Sequence, residues 1–397
     1  MQPTTLVTSA ILLIISIHQV VHVASEFLPE DSKLNTIELA TKYKHPPLQF
    51  EVVTEDGYIL ALFRLPGRSK VPVLLVHGLG DSSDTWLLRG STSLAITLAD
   101  DGYDVWLANV RGNRYSRRHV HLNPDKDPAF WRYSFHEIGY YDLPAIIDTI
   151  LKTTKAESLT YIGHSQGTTA SYVLGSQRKE YNSKINVMIS LAPVAYLHHT
   201  PPPISILIDL SPVIEQVFKD LSIHEVFGDN TTLGYVIHRL CPLPFIGYFV
   251  CTYSLAFPTA GYDPPELEPK FSQISSTHYP AGTSSRSIVH FLQVGYREKF
   301  AQYDYGSEGN VKHYNSTEPP VYRLDQVTMP VALLVGDNDN LSTVPDVELL
   351  KQQLANVVYY NLNPRLLCNH LDFVWGRHMS DYLYPQIYEV LDSYKHF

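Results

Sequence analysis

Short apolar runs ended by turn residues alternate along the chain with stretches whose apolar residues recur at helical spacing. Residues 50–54 and 58–64 are β-rich and flank Asp56-Gly57, which is a hairpin signal. Apolar runs follow at 71–76, ending at His77-Gly78, and at 104–110, ending at Arg111-Gly112. A helix is expected to open near Asp142, which suits an N-cap, with Pro144 in its first turn. Ile146, Ile147, Ile150 and Leu151 then fall on one helical face. Residues 159–162 read as a buried strand, with a helix from Gly167, and 185–191 as the next strand. Regularity breaks over 196–326, which is rich in Pro, Tyr, His and short apolar runs. It resumes with a strand at 331–335, a helix at 346–354, a strand at 357–360 and a last helix at about 382–394. Apolar strands alternating with helices predict an α/β fold, with a mostly parallel sheet covered on both faces and an insertion over 196–326.

At the front, residues 6–21 are largely apolar and carry no Asp, Glu, Lys or Arg, and the small residues Ala24 and Ser25 follow. This is the pattern of a cleaved secretory signal over 1–25. The remaining chain divides into core residues 26–195, an insertion at 196–326 and returning core at 327–397. The net charge of −10 argues against a nucleic-acid partner, because phosphate binding needs clustered Lys and Arg. No later stretch has the length and apolarity of a spanning helix, so no stable transmembrane anchor is expected. Of the three cysteines, Cys241 and Cys251 lie close in sequence and are the expected disulfide in an oxidising compartment, leaving Cys368 free. No CxxC or HExxH spacing occurs, so no metal is expected, and no cofactor is implied. Asn230, Asn315 and Asn340 each open an N-x-[ST] sequon, in keeping with a secretory route.

The sharpest chemical signal is Gly163-His164-Ser165-Gln166-Gly167 between a strand and a helix. In that context G-x-S-x-G presents the serine on a sharp, strained turn at the sheet edge of an α/β-hydrolase, with the helix N-terminus behind it. The partners of such a serine follow in the order acid, then histidine. Among 18 histidines, His370 and His378 stand late enough, and His370 is the better placed, after the 357–360 strand. The strand at 331–335 leads to Asp337 and Asp339, either of which can orient the imidazole. Asp346 is more distant, and Asp372 fits a capping role. For the oxyanion, one amide is that of Gln166 and the other that of Leu79, in the loop after the 71–76 strand.

The chain resembles the animal acid lipases, a family that includes gastric, lysosomal and insect gut lipases. The resemblance runs from about Tyr43 to the C-terminus. It is carried by Glu51-Val-Val-Thr-Glu-Asp-Gly-Tyr-Ile-Leu60, His77-Gly-Leu79, Asp104-Val-Trp-Leu-Ala-Asn109, Arg111-Gly-Asn113, Tyr141-Asp-Leu-Pro144, Gly163-His-Ser-Gln-Gly167, Pro280-Ala-Gly-Thr-Ser284 and Asn369-His-Leu-Asp-Phe373. It implies Ser165 as nucleophile, His370 as base, Asp339 as acid, Leu79 and Gln166 at the oxyanion, residues 196–326 as a cap and lid over the site, and a cap disulfide near Cys241 and Cys251. Three positions depart from the family pattern: Asn340-Leu-Ser-Thr343 after the acid, Cys368 where an aromatic is more usual, and Gly80 where a bulkier residue is common. None removes a catalytic group; all three bear on specificity. The implied function is a secreted lipase acting on triacylglycerol or sterol esters at a lipid–water interface, in gut lumen, extracellular fluid or lysosome. The alternatives are a carboxylesterase for shorter soluble esters, a catalytically silent lipid carrier and, should the N-terminal segment stay uncleaved, a membrane-anchored surface enzyme.

Overall fold

The computed structural model describes residues 28–394, and the expected signal segment lies outside them. Among the described residues, ten strands form two sheets: β1 Leu48–Val53, β2 Ile59–Leu65, β3 Val73–Val76, β4 Val105–Ala108, β5 Leu159–His164, β6 Ile185–Leu191, β7 Glu225–Val226, β8 Thr283–Ser284, β9 Val331–Val335 and β10 Val357–Leu362. The main sheet runs β1-β2-β4-β3-β5-β6-β9-β10. The β1–β2 hairpin is antiparallel around Asp56-Gly57, and β2 meets β4 antiparallel; every later pairing, from β4 to β10, is parallel.

Every residue of β3, β4, β5 and β9 is buried. Their side chains alternate between the two faces, as the strand period demands. Leu74, Val76, Trp106, Leu333 and Val335 join one apolar cluster with the helices Leu143–Thr154, Gln166–Gln177 and Val344–Gln353. Val73, Leu75, Val105, Leu107 and Leu334 join another with Leu94–Asp100 and Tyr384–Ser393. Helices on both faces leave no side of the central strands wet, which is why these strands read as unbroken apolar runs.

One expectation is overturned. Asp142 is not an N-cap: its backbone is helical and its side chain makes no cap bond. The helix starts at a capping box in which Ser134 and Glu137 satisfy each other's orphan donors. It then passes through one π-type turn, Ile138–Asp142, into Leu143–Thr154. Asp142 instead accepts from the Arg111 backbone N–H at 2.9 Å and from Arg111 Nε at 2.8 Å. Asp56 takes the other end of the same guanidinium. This buried ion pair ties the β4 loop to the hairpin and to the helix.

Between β6 and β9 the chain leaves the sheet. It forms the helices Ile204–Asp209, Ser211–Asp220, Thr232–Leu240, Pro269–His278, Ser285–Arg297 and Ser307–Tyr314, a π-type run Tyr248–Ala256, and the β7–β8 ribbon. Ile208 and Leu292 pack on Val194 and Leu197 as a small separate core. Cys241 and Cys251 are joined in a disulfide, and Cys368 is free and buried. No helix among the described residues is long and apolar enough to cross a membrane.

Candidate active site

Ser165 sits directly after β5 with φ 52° and ψ −117°, a conformation costly for a residue with a Cβ. Its neighbours hold it there. Ser165 N–H donates to the Leu191 carbonyl at 3.1 Å, and its own carbonyl accepts from Thr168 N–H at 2.8 Å. The flanking glycines permit the sharp turn. A Cβ on Gly167 would stand 2.4 Å from the Val76 carbonyl oxygen, and one on Gly163 would stand 2.9 Å from the Gly167 carbonyl carbon. The helix Gln166–Gln177 starts at the serine, so its positive end lies at the hydroxyl.

Asp339 follows β9 in the next turn and is buried. Its Oδ1 accepts from the Leu341 and Ser342 amides at 2.8 and 2.7 Å, which leaves Oδ2 for His370 Nδ1 at 2.8 Å. A proton on Nδ1 satisfies that contact and leaves Nε2 as the basic nitrogen. The histidine loop is held at its backbone. His370 N–H donates to the Ala260 carbonyl at 3.0 Å, and the His370 carbonyl accepts from His164 Nε2 at 2.9 Å. The His164 and His370 rings lie 4.9 Å apart, so the His370 ring stands beside the residue that precedes Ser165. Burial pushes the His164 pKa down to about 3, with the nearby His370 adding to the effect, and His164 therefore stays neutral.

The other sequence candidates lie elsewhere. Asp337 is exposed. His378 bonds Glu266 at 2.8 Å, with about half of its side chain in water. Asp346 accepts from the His198 and His199 amides and from Thr343. Asp372 accepts the Asn369 N–H at 2.8 Å and braces the histidine loop.

The loop after β3 runs along the serine: a Cβ on Gly78 would be 3.4 Å from Ser165 Cβ. The amides of Leu79 and Gln166 donate to no acceptor among the described residues. Two unspent N–H groups beside a nucleophile can receive a developing oxyanion. Of the sequons, Asn230 and Asn315 are exposed, whereas Asn340 is half-buried and donates from Nδ2 to the Pro258 carbonyl at 3.1 Å. No group of His, Cys, Asp or Glu among the described residues is arranged to hold a metal ion.

Sequence reasoning missed the segment 260–262. Its carbonyls at Ala260, Gly261 and Tyr262 accept from His370 N–H, Asn369 Nδ2 and Asn338 Nδ2, so it clamps the acid and histidine loops together. Gly261 has φ +112°, and a Cβ there would stand 1.9 Å from the Asn338 carbonyl oxygen. That glycine was the one signal available.

The α/β hydrolase fold family matches residues 71–376, and the partial α/β-hydrolase lipase region matches residues 36–90. Lipase 1 of Drosophila melanogaster is 39% identical, over 92% of this chain and 81% of its own. Human lysosomal acid lipase/cholesteryl ester hydrolase and human gastric triacylglycerol lipase are each 35% identical, over 92% and 91% of this chain and 92% of their own. A putative lipase structure from Sulfolobus solfataricus superposes with a TM-score of 0.57 at 14% identity, covering 87% of this chain and 93% of that one. At that identity the likeness carries the fold alone.

Proposed function

Since the chain belongs to the α/β-hydrolase lipases, the family of lysosomal acid lipase and gastric lipase, we propose that it is a secreted serine lipase using Ser165, His370 and Asp339. The observation that carries this reading is the buried 2.8 Å His370–Asp339 pair set beside the strained Ser165 turn. His370 Nε2 takes the hydroxyl proton as Ser165 Oγ attacks the ester carbonyl. The amides of Leu79 and Gln166 hold the oxyanion. Collapse expels the alcohol, which leaves with the proton from His370, and the acyl group stays on Ser165. Water then gives its proton to His370 and attacks the acyl-enzyme, and the fatty acid departs as Ser165 regains its proton.

The substrate is a neutral lipid ester, triacylglycerol or sterol ester. Support comes from the two relatives named for those esters and from the apolar residues the cap turns to solvent, among them Val213, Phe245, Ile246 and Phe249. The disulfide and the exposed sequons at Asn230 and Asn315 support a secretory route, to an extracellular or lysosomal destination. The test is fluorophosphonate labelling with peptide mapping, together with turnover of Ser165→Ala on emulsified triacylglycerol and cholesteryl ester. Labelling at Ser165, with no turnover and an unchanged melting temperature in the variant, is the expected result. Near-normal turnover in Ser165→Ala overturns the reading.

A further inference from the structure

His77 is buried at the start of the loop that follows β3, two residues before Leu79. Its Nε2 faces two donors, the Val110 N–H and the Asn113 side-chain amide, both at 3.2 Å. A backbone N–H only donates, so Nε2 carries a lone pair and the proton is on Nδ1. That proton points at the Gly78 carbonyl oxygen, 2.9 Å away. The Gly78 carbonyl and the Leu79 N–H belong to one planar trans peptide and point in opposite directions.

We infer that His77 is a positioning residue that aims the Leu79 amide at the oxyanion by holding the Gly78 carbonyl from behind. The inference rests on the proposed role of Leu79. Fixing one end of a rigid peptide fixes the other. A bond to the carbonyl also polarises the unit and strengthens its N–H as a donor. The Val110 N–H fixes the ring at Nε2, and the Asn113 amide beside it shares its two protons among His77 Nε2, the Asp81 carbonyl and Asn109 Oδ1, the last of which also accepts from Ser83 N–H. Burial pushes the His77 pKa down to about 4, so this tautomer persists in mildly acidic conditions.

Two substitutions separate aiming from packing. His77→Asn puts an amide nitrogen where Nδ1 was, keeping the donor to Gly78 but abandoning the Val110 N–H. His77→Gln puts an amide oxygen near the Nε2 position, keeping the acceptor for Val110 but losing the donor to Gly78. The expected results are a lower melting temperature with kcat within about three-fold for His77→Asn, and a near-normal melting temperature with kcat down about 10²-fold for His77→Gln. KM changes less than about two-fold in both, because the lost interaction forms only in the transition state. An alkylboronic acid, which mimics the tetrahedral state, should lose affinity for His77→Gln in parallel with kcat, while a non-hydrolysable ether analogue keeps its own. Should His77→Asn fail to fold, the Gln variant and the boronate decide alone. Wild-type kcat in His77→Gln, or kcat that merely follows melting temperature, overturns the role of His77. Absence of fluorophosphonate label on wild-type Ser165 instead overturns the underlying serine reading and this inference with it.

Discussion

The strands under the serine and the helices of the 196–326 insertion are both rich in aliphatic and aromatic residues, yet they use them in opposite ways. Strands β3, β4, β5 and β9 bury every residue they contain. In the insertion Val213, Phe245 and Phe249 are 58%, 79% and 59% exposed. Apolar surface left in water forgoes about 25 cal/mol per Å². The sheet therefore gains stability from its apolar residues, whereas the insertion leaves an apolar face in water, as the proposed action on lipid esters requires. On the proposed function, the chemistry belongs to the sheet edge and the choice of substrate to the cap.

The strongest test of the sheet side of that division is the acid. Asp339→Asn should lower turnover by up to about four orders of magnitude at nearly unchanged KM, because the Leu341 and Ser342 amides keep the Asn oxygen and its NH2 then faces His370 Nδ1, which forces the wrong tautomer. Asp337→Asn should fall within a few-fold of the parent, since Asp337 is exposed and Asp339 holds the 2.8 Å contact. Turnover of both variants on a short soluble ester, with melting curves as control, checks this. A dead Asp337→Asn beside a working Asp339→Asn breaks the assignment.

On the cap side, the double variant Phe245→Ser with Phe249→Ser should leave the melting temperature and hydrolysis of a soluble short-chain ester unchanged. Fully burying a Phe is worth roughly 1.5–3 kcal/mol, so partial insertion of two rings predicts about ten-fold weaker activity on an emulsion. Equal losses on soluble and emulsified substrates would erase the division between the two regions.

The loop after β3 adds a pH-dependent effect on the core. Burial pushes the Asp81 carboxyl up to about 7, so the folded protein holds a proton that the unfolded chain, with its ordinary value near 3.8, releases. Its stabilising contribution is complete below about 4 and is lost as pH rises through 7. His77 and His164, buried and neutral with values pushed down to about 4 and 3, act with the opposite sign, lowering stability as pH falls below about 6.5. Asp81→Asn removes only the first effect. Relative to the parent it should gain stability between pH 5 and 7 by about 1.4 kcal/mol per pH unit, read by urea unfolding. A constant offset across that range would refute the assignment.

The same contrast explains what was legible in the sequence. Parallel strands buried on both faces are short apolar runs, so β6 and β9 fall on the expected residues and most others within two or three. The serine turn was legible because two glycines must flank it; strand order brought the proposed acid down to Asp337 or Asp339, and only the resemblance to the acid lipases chose between them. The true start of the helix at Ser134 was not, because the π-type turn Ile138–Asp142 breaks the helical period that would have led back to it. Asp142 resembled a cap because its partner, Arg111, is 31 residues away. The 260–262 clamp is made of backbone carbonyls, which leave no trace in side-chain pattern. Nor does an apolar residue reveal whether it faces inward, so hydropathy alone does not distinguish the cap's outer face from its core.

The smallest expected effect concerns glycans, and it too divides core from insertion. Asn230 and Asn315 lie in the insertion and are exposed. Asn340 lies in the acid loop, half-buried, with its amide on the Pro258 carbonyl. The hydroxyl of its sequon is less available still: Ser342 is buried, its Oγ donates to the Pro193 carbonyl at 2.7 Å, and its N–H is held by Asp339. A sugar on Asn340 would require this loop to open, which would release one of the two amides fixing the acid. Glycopeptide mass analysis should therefore find Asn230 and Asn315 occupied and Asn340 bare. Asn340→Gln should leave the mass of the glycoform set unchanged beyond the substitution itself, and turnover within about two-fold, because one side-chain hydrogen bond contributes only about 1 kcal/mol. An active enzyme fully glycosylated at Asn340 would mean that the acid loop turns this residue outward and that Pro258 is not its partner.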